Sequence, residues 1–200
     1  MSELALPPKL AQRLAELPDR LRSHVQRVRA IARELAEAHG IDADLSELTA
    51  AAHDVARHLP GRHLLEEAGR LGLLVNAVET HAPVLLHGPV LLHGPVGAAW
   101  LRREGEVTDP ALLEGVRWHT TASPDLAPVG RVVFLADKID PQKSGMYPFL
   151  EEVRREAFSD LSAGLLAFLD GALKLHVDRG NAVHGMSIST RNSLIMARAC

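Results

Sequence analysis

Six side chains with nitrogen or oxygen donors lie on or beside apolar stretches of the sequence. They are His24, His53, Asp54, a histidine within residues 87–93, His119 and Asp137. Imidazole and carboxylate groups suit iron, manganese or zinc. A single ion that also binds water or substrate needs fewer than six protein ligands. The six donors therefore predict two ions, with an aspartate bridging them. Two such ions lower the pKa of a shared water and stabilise charge on the attacking and leaving oxygens in phosphate chemistry.

Taken singly, these residues have simpler explanations. His24 and His119 each continue an apolar helical stripe, where a histidine can be a hydrogen-bonded core residue. Asp137 follows Val-Val-Phe-Leu-Ala, where a buried carboxylate needs either a basic partner or a cation. His53 and Asp54 diverge by about 100° if both are helical. They can still both reach a cation beside the helix.

The elements that must position these side chains are helical in pattern. Apolar residues recur at spacings of three and four over most of the chain. The segment 129–138 has strand propensity, but no neighbouring segment supplies a partner strand or a hairpin signal. The predicted helices cover about 19–39, 44–59, 62–71, 95–105, 109–119, 129–138, 147–157, 159–178 and 187–198, and 72–94 is predicted to be irregular. The sequence therefore predicts an all-α fold.

A six-residue unit, Pro-Val-Leu-Leu-His-Gly, occurs at 83–88 and again at 89–94. It is too short for a solenoid repeat, whose units run to about 20 residues or more. Proline and glycine in each unit exclude a continuous helix. The duplication predicts a lengthened loop and leaves His87 and His93 as alternative donors.

Bulk properties restrict the class of protein. A chain of 200 residues with 46% hydrophobic and 24% charged residues is typical of one globular domain. The net charge of −3 provides no general attraction to nucleic acid, so an anionic ligand needs a local site. Cys200 is the single cysteine, which favours a reducing cytoplasm. No segment reaches the roughly 20 apolar residues of a membrane span. A homodimer is plausible for an apolar helical chain of this size.

The order of these donors resembles the HD-domain metal-dependent phosphohydrolases, and within them the YqeK-type symmetrical bis(5′-nucleosyl)-tetraphosphatases. Segments spread over about residues 20–195 carry the resemblance. They are RSHVQRV around His24, AAHDVARHLP at 51–60, LLHGPVGAAWL at 91–101, RWHTTASP at 117–124, FLADKIDP at 134–141 and, more faintly, NAVHGMSISTRNSL at 181–194. The HTT and LADxIxP segments are more specific than the His-Asp pair itself.

The resemblance implies a single HD domain over 1–200, built as a helical bundle with a dinuclear metal site in its core. Residues 1–18 would form an N-terminal helix, 19–140 the metal-binding core and 141–200 the C-terminal helices. It implies two divalent ions, commonly iron with manganese or zinc possible, and hydrolysis of diadenosine tetraphosphate to two ADP. The implied metal ligands are His24, His53, Asp54, His93 (or His87), His119 and Asp137, with Asp54 bridging.

The remaining implied roles concern catalysis and substrate. Asp54, His53 and Arg57 are the expected catalytic residues, and Arg57, Thr120, Lys138, Lys143 and Arg191 are the expected substrate contacts. His93 is favoured over His87 because it alone precedes Gly-Pro-Val-Gly-Ala, where the next helix begins. The duplication leaves a further possibility, in which both histidines are displaced and one metal is weakly bound.

The chain also departs from the family pattern. Ala122 and Ser123 stand where the family tends to have Gly-Arg, which puts an arginine contact to substrate in doubt. Three alternative functions follow. The substrate can be another nucleotide, such as a nucleoside mono- or triphosphate or a guanosine alarmone. The protein can be a nucleotide-binding sensor without catalysis. In a purely structural interpretation, the histidines are core or surface residues.

Overall fold

The structure, a computed structural model, describes residues 4–80 and 89–198. Within these residues the regular structure is helical and no strand occurs, which confirms the predicted all-α fold class. The helices are α1 Pro8–Glu16, α2 Asp19–Ala38, α3 Ala43–Ala52, α4 Gly61–Arg70, α5 Ala77–Thr80, α6 His93–Glu104, α7 Pro110–Trp118, α8 Pro128–Lys138, α9 Leu150–Ser159, α10 Leu161–Asp178 and α11 Gly185–Arg198. Short 3₁₀ turns cover Pro89–Leu92 and Pro141–Lys143.

Helix α8 lies at the centre of the fold and packs against α2, α3, α7 and α10. Five consecutive residues, Val132 to Ala136, are fully buried. A helix that is apolar all round belongs inside a protein, surrounded by other helices. This burial explains why a segment with strand propensity forms a helix, as predicted.

Helix ends agree with the local sequence signals in several places. Asp109 caps α7 by accepting a hydrogen bond from the Leu112 amide at 3.0 Å. Gly40 ends α2 with a φ of +64°, a conformation that glycine adopts without steric cost. Asp42 caps α3, two residues before the first predicted position, through the Leu45 amide at 2.9 Å.

The predicted boundaries are wrong in two regions of the chain. Helix α3 ends at Ala52 instead of near 59, and tight turns follow it, with the Arg57 amide donating to the Asp54 carbonyl. The segment predicted to be irregular contains α5 and the Pro89–Leu92 turn, and α6 begins at His93 instead of Pro95. Residues 81–88, which include the whole first repeat copy, lie outside the described residues.

The C-terminal helices continue the core around α8. Helix α10 packs on α8, and α9 packs on both α10 and α2. One cluster of buried apolar residues joins Phe134 of α8 to Val153 of α9 and Phe168 of α10. Among the described residues, no helix is both long enough and apolar enough to cross a membrane.

Candidate metal centre

Five predicted donors arrive from five separate elements. His24 lies within α2, His53 follows the last residue of α3, and His93 is the first residue of α6. His119 follows the last residue of α7, and Asp137 lies in the last turn of α8. Their side chains meet in the interior, around Asp54.

Asp54 divides the imidazoles into two groups. Its Oδ1 lies 3.1 Å from Nε2 of His93 and 3.6 Å from Nε2 of His119. Its Oδ2 lies 3.5 Å from Nε2 of His53 and 3.7 Å from Nε2 of His24. Within each group the potential ligand atoms are all within 4.8 Å of one another. The carboxylate thus presents one oxygen to each of two candidate cation sites.

The other ring nitrogen of each histidine is held by an acceptor. Nδ1 of His53 donates to the Ala50 carbonyl at 2.6 Å, and Nδ1 of His119 donates to the Val116 carbonyl at 2.7 Å. Nδ1 of His93 donates to the Val90 carbonyl in the same way. Since Nδ1 is used in these bonds, Nε2 is the ring nitrogen that is left to face a metal.

The Nε2 atoms of neighbouring rings face one another. Those of His93 and His119 are 2.8 Å apart, and those of His24 and His53 are 3.4 Å apart. With Nδ1 already a donor, a cation near each pair could bind the lone pairs of both rings. Imidazoles together with carboxylates are ligands for divalent iron, manganese and zinc. The residues present therefore fit a pair of divalent cations.

Burial and charge act against each other at these groups. Burial alone would raise the pKa of Asp54, but the charge of His53 and hydrogen bonds from His119 and His53 hold it well below its usual value. Burial lowers the pKa of His119 to about 3, assisted by the charges of His93 and His53. The centre therefore keeps Asp54 anionic and His119 neutral near neutral pH, as metal coordination requires.

Asp137 joins the centre to two lysines. Its Oδ1 lies 3.0 Å from Nε2 of His24 and also accepts from Lys143, while its Oδ2 accepts from Nζ of Lys138 at 2.8 Å. Burial would raise the pKa of Asp137, but the charges of Lys138 and Lys143 outweigh it and hold the pKa well below its usual value. Nζ of Lys138 also donates to the His119 carbonyl at 3.1 Å. Both lysines are thus engaged with the centre itself.

Asp140 is a member of the centre that sequence reasoning missed. Its Oδ2 accepts from Nδ1 of His24 at 2.7 Å, and Nε and Nη2 of Arg27 each donate to the same carboxylate at 2.9 Å. A carboxylate behind a ligating imidazole fixes the ring and raises its basicity. The sequence held a partial signal, because Arg27 follows His24 by three residues on one face of α2, and Asp140 follows Asp137 by three residues just past the end of α8.

His93 has a defined place, whereas His87 lies outside the described residues. Leu92 is fully buried, and the turn that carries it packs against α4. A Cβ atom on Gly94 would lie 2.7 Å from the Arg117 carbonyl oxygen, so α6 begins in direct contact with the end of α7. This close approach brings His93 to His119.

A cavity of about 610 Å³ opens onto the centre. Its lining includes the predicted substrate contacts Arg57, Thr120, Lys138 and Lys143, and also Arg27. The structure does not bring Arg191 there. Its Nε donates to Asp170 at 2.7 Å, and the residue is absent from the lining formed by the described residues.

The departure at Ala122 has a structural counterpart. Ala122 is fully buried and has a φ of +62°, the left-handed region that costs a residue with a Cβ about 1–2 kcal/mol. A glycine, which the family tends to have here, would adopt this conformation without strain. Ser123 is also buried, so the turn after His119 faces the interior instead of presenting an arginine.

Comparisons with known proteins agree with this geometry. A model of the HD domain matches residues 21–142. A protein of Halalkalibacterium halodurans, named symmetrical bis(5′-nucleosyl)-tetraphosphatase, is 27% identical over 86% of this chain and 88% of its own. A protein of the same name from Bacillus subtilis is 29% identical over 86% of this chain and 88% of its own.

A crystal structure from Clostridium acetobutylicum is also similar. It is described as a predicted HD superfamily hydrolase involved in NAD metabolism, and it has a TM-score of 0.84 at 25% identity over 96% of this chain and 100% of its own. The predicted resemblance to YqeK-type HD-domain proteins is confirmed. With its cluster of potential metal ligands, the chain belongs to the HD-domain family and is a metal-dependent phosphohydrolase.

Proposed function

We propose that this protein hydrolyses diadenosine tetraphosphate symmetrically to two ADP, using two divalent cations of which iron is the native choice. The observation that carries the proposal is the position of Asp54, with one oxygen toward each pair of imidazoles. The names of the relatives in H. halodurans and B. subtilis support the choice of substrate.

The residues of the centre have distinct proposed roles. His24, His53, Asp54, His93, His119 and Asp137 would hold the cations. When bound, such cations lower the pKa of water and neutralise phosphate charge. Asp140 orients the imidazole of His24, and Arg27 keeps Asp140 ionised, with a pKa of about 2 despite the burial that would raise it.

The cationic side chains of the cavity account for binding of a polyphosphate. Arg57 lies three residues after Asp54 and lines the cavity without an acidic partner among the described residues. Its guanidinium group can bind phosphate oxygens in a bidentate manner. Lys143 lies within reach of the same space and would exchange its contact with Asp137 for a phosphate when a cation takes that carboxylate.

We also propose that residues 1–200 form one HD domain acting in the cytoplasm. The family match ends at residue 142, but the apolar core that contains Phe134 continues into α9 and α10. The C-terminal helices thus complete the same core instead of forming a second one. Assembly as a homodimer stays a prediction.

The test is product analysis with protein purified without a chelator. Diadenosine tetraphosphate is incubated with the protein and added iron, manganese or cobalt, and the products are separated by chromatography. ADP as the sole product supports the proposal, and AMP with ATP contradicts it. Binding of ADP or GDP with no turnover under any metal would identify a sensor instead, and turnover of a different nucleotide would reassign the substrate.

The variant Asp54→Ala connects this activity to the centre. It removes a carboxylate that faces both candidate sites, so turnover and metal content should both be lost. Asp125→Asn is the matched control, because Asp125 is exposed and does not line the cavity. Full activity of Asp54→Ala would refute the mechanism.

A further inference from the structure

The turn that follows His119 is both strained and buried. Ala122 has a φ of +62°, in the left-handed region that a Cβ disfavours, and it is fully buried. Its neighbours Thr121 and Ser123 are also buried. A strained conformation of this kind persists only where the surrounding structure holds it. Since the same turn begins at His119, whatever holds the turn also places a proposed metal ligand.

Donors from two other helices hold the carbonyl groups of this turn. Nζ of Lys138, in α8, donates to the His119 carbonyl at 3.1 Å. The Thr121 carbonyl accepts from the hydroxyl of Ser187, in α11, at 2.7 Å. Helix α11 supplies none of the proposed ligands. The Ser187 bond therefore holds the turn from outside the centre.

His184 fixes the first turn of α11, where Ser187 lies. Its Nδ1 accepts from the Met186 amide at 3.2 Å, and its carbonyl accepts from the Ser187 amide at 3.0 Å. A side chain that bonds to an amide in the first turn of a helix acts as its N-cap. Because the His184 side chain is buried, the start of α11 and the Ser187 hydroxyl have a defined place.

Helix α5 holds the ring of His184 from the other side. Oε1 of Glu79 lies 3.5 Å from Nε2 of His184. Glu79 is itself fixed by the reciprocal bonds of a capping box, in which its carboxylate accepts from the Asn76 amide at 2.8 Å and its amide donates to Asn76 Oδ1 at 3.1 Å. Burial would raise the pKa of Glu79, but hydrogen bonds from His184 and from the Asn76 amide hold it below its usual value. An ionised carboxylate thus faces the His184 ring.

We propose that Ser187 is a positioning residue for the metal ligand His119, and that His184 keeps Ser187 in place. The assignment rests on the proposed function, since it takes His119 to bind a cation together with His93. Without the Ser187 bond, the strain at Ala122 relaxes and the turn carries His119 away from His93. Metal affinity falls when the outer contacts that orient a ligand are lost.

The first test measures Mn²⁺ binding to the metal-free protein by titration calorimetry. Ser187→Ala should weaken the ion at His93 and His119 about threefold to tenfold, the effect of one hydrogen bond. The ion at His24 and His53 should bind as before. Ser187→Thr keeps the hydroxyl and should restore the affinity. Unchanged binding in Ser187→Ala, or equal weakening of both ions, overturns the proposal.

Ser189→Ala is the matched control for this measurement. Ser189 is exposed on the same helix and lies outside the cavity lining that the described residues form. Its variant should bind both ions with the natural affinity. Thermal denaturation checks that all variants fold.

A second substitution tests whether Ser187 acts through the strained turn. Ala122→Gly removes the strain, because glycine adopts the left-handed conformation freely. In this background Ser187→Ala should reduce the Mn²⁺ affinity by less than about twofold, since coupled residues are not additive. An equal loss in both backgrounds would mean that Ser187 does not act through the turn.

Hydrogen exchange provides a readout that needs no metal. The Ala122 amide donates to the Trp118 carbonyl at 2.8 Å, so its exchange rate reports opening of the turn. In metal-free Ser187→Ala this amide should exchange about threefold to tenfold faster, and in Ser187→Thr at the natural rate. His184→Ala should produce a similar increase and add little to that of Ser187→Ala, because both act on one turn. Additive increases would remove His184 from the assignment, and an unchanged rate in Ser187→Ala would remove Ser187.

The two proposals fail separately. If Ser187→Ala weakens Mn²⁺ and speeds exchange at Ala122, but the natural protein does not cleave diadenosine tetraphosphate, the positioning role stands and the proposed substrate falls. If the natural protein releases ADP from that substrate while Ser187→Ala changes neither measurement, the function stands and the positioning role falls. A natural protein that binds no divalent ion would contradict both.

Discussion

At the scale of single residues, the centre is defined by which ring nitrogen of each histidine is already in use. The Nδ1 atoms of His53, His93 and His119 are bonded to backbone carbonyls, and that of His24 to Asp140. The Nε2 atoms then face one another around Asp54. An imidazole that served only to fill the core would not need this arrangement, in which unshared lone pairs converge.

The choice between the two repeated histidines is a prediction at this scale. His93→Ala should abolish turnover and lower the metal content by about one ion per chain, because His93 faces His119 across Asp54 Oδ1. His87→Ala should leave both unchanged. Elemental analysis and the hydrolysis assay measure the two effects. The reverse result would transfer the ligand role to His87.

Asp140 provides a second prediction. Asp140→Asn keeps the shape of the side chain but removes the charge behind His24. Loss of such an outer carboxylate should lower metal affinity or activity about tenfold to a hundredfold. Metal titration followed by the assay measures this, with Asp125→Asn as the exposed control. An unchanged metal affinity would mean that Arg27 and Asp140 form only a structural ion pair.

At the scale of elements, ligands are concentrated where helices end. The last carbonyls of a helix lack intrahelical partners. His53 and His119 each bond to the carbonyl three residues earlier, at the ends of α3 and α7, and His93 does the same after the Pro89–Leu92 turn. Each of these histidines thus donates from Nδ1 to a backbone carbonyl that lacks a helical partner, and its Nε2 faces the centre. No glycine or proline marks the end of α3, which is why sequence reasoning made that helix too long.

The close contact between α6 and α7 predicts that a larger residue at Gly94 destabilises the fold. Gly94→Ala would place a methyl group against the Arg117 carbonyl oxygen, 2.7 Å away, and against that of Val116, 2.9 Å away. The helices must separate, at a cost of about 1–3 kcal/mol. His93 would move from His119, so metal content should also fall. Chemical denaturation and elemental analysis measure both.

Gly69→Ala is the matched control for this variant. Gly69 lies in α4, and a Cβ there would meet nothing within 4 Å. Alanine favours a helix over glycine by roughly 0.8–1 kcal/mol, so this variant should be slightly more stable. If Gly94→Ala unfolds at the same denaturant concentration as the natural protein and keeps its metal, the close approach of α6 and α7 is not required.

At the scale of the whole molecule, the centre connects α2, α3, α6, α7 and α8. Cations that bridge these helices would stabilise the folded chain, since they bind the native state only. A free metal concentration a hundredfold above Kd adds about 2.7 kcal/mol. For a chain of this size, each kcal/mol raises Tm by about 2–4 °C. Chelation should therefore lower Tm by roughly 5–10 °C.

Calorimetry with and without chelator measures this shift, and Asp54→Ala serves as the control. The variant lacks the bridging carboxylate, so chelation should change its Tm little. A Tm of the natural protein that does not respond to chelation would argue against cations linking the helices.

The sequence by itself determined the helical class, the order of the donors and the identity of five side chains that meet in the interior. Periodicity and residue chemistry are local properties, and they are readable without coordinates. The same reasoning overlooked Asp140 and included Arg191, which pairs with Asp170 away from the cavity.

Only the tertiary structure decided how these donors are arranged. The division of the imidazoles between the two oxygens of Asp54 depends on distances between residues far apart in the sequence, as with His119 and Asp54. Such distances are fixed by the way helices cross. The absence of a Cβ at Gly94, for example, allows α6 to approach the end of α7 closely. A pattern of residue types contains no such lengths, because packing of the entire core around α8 sets them.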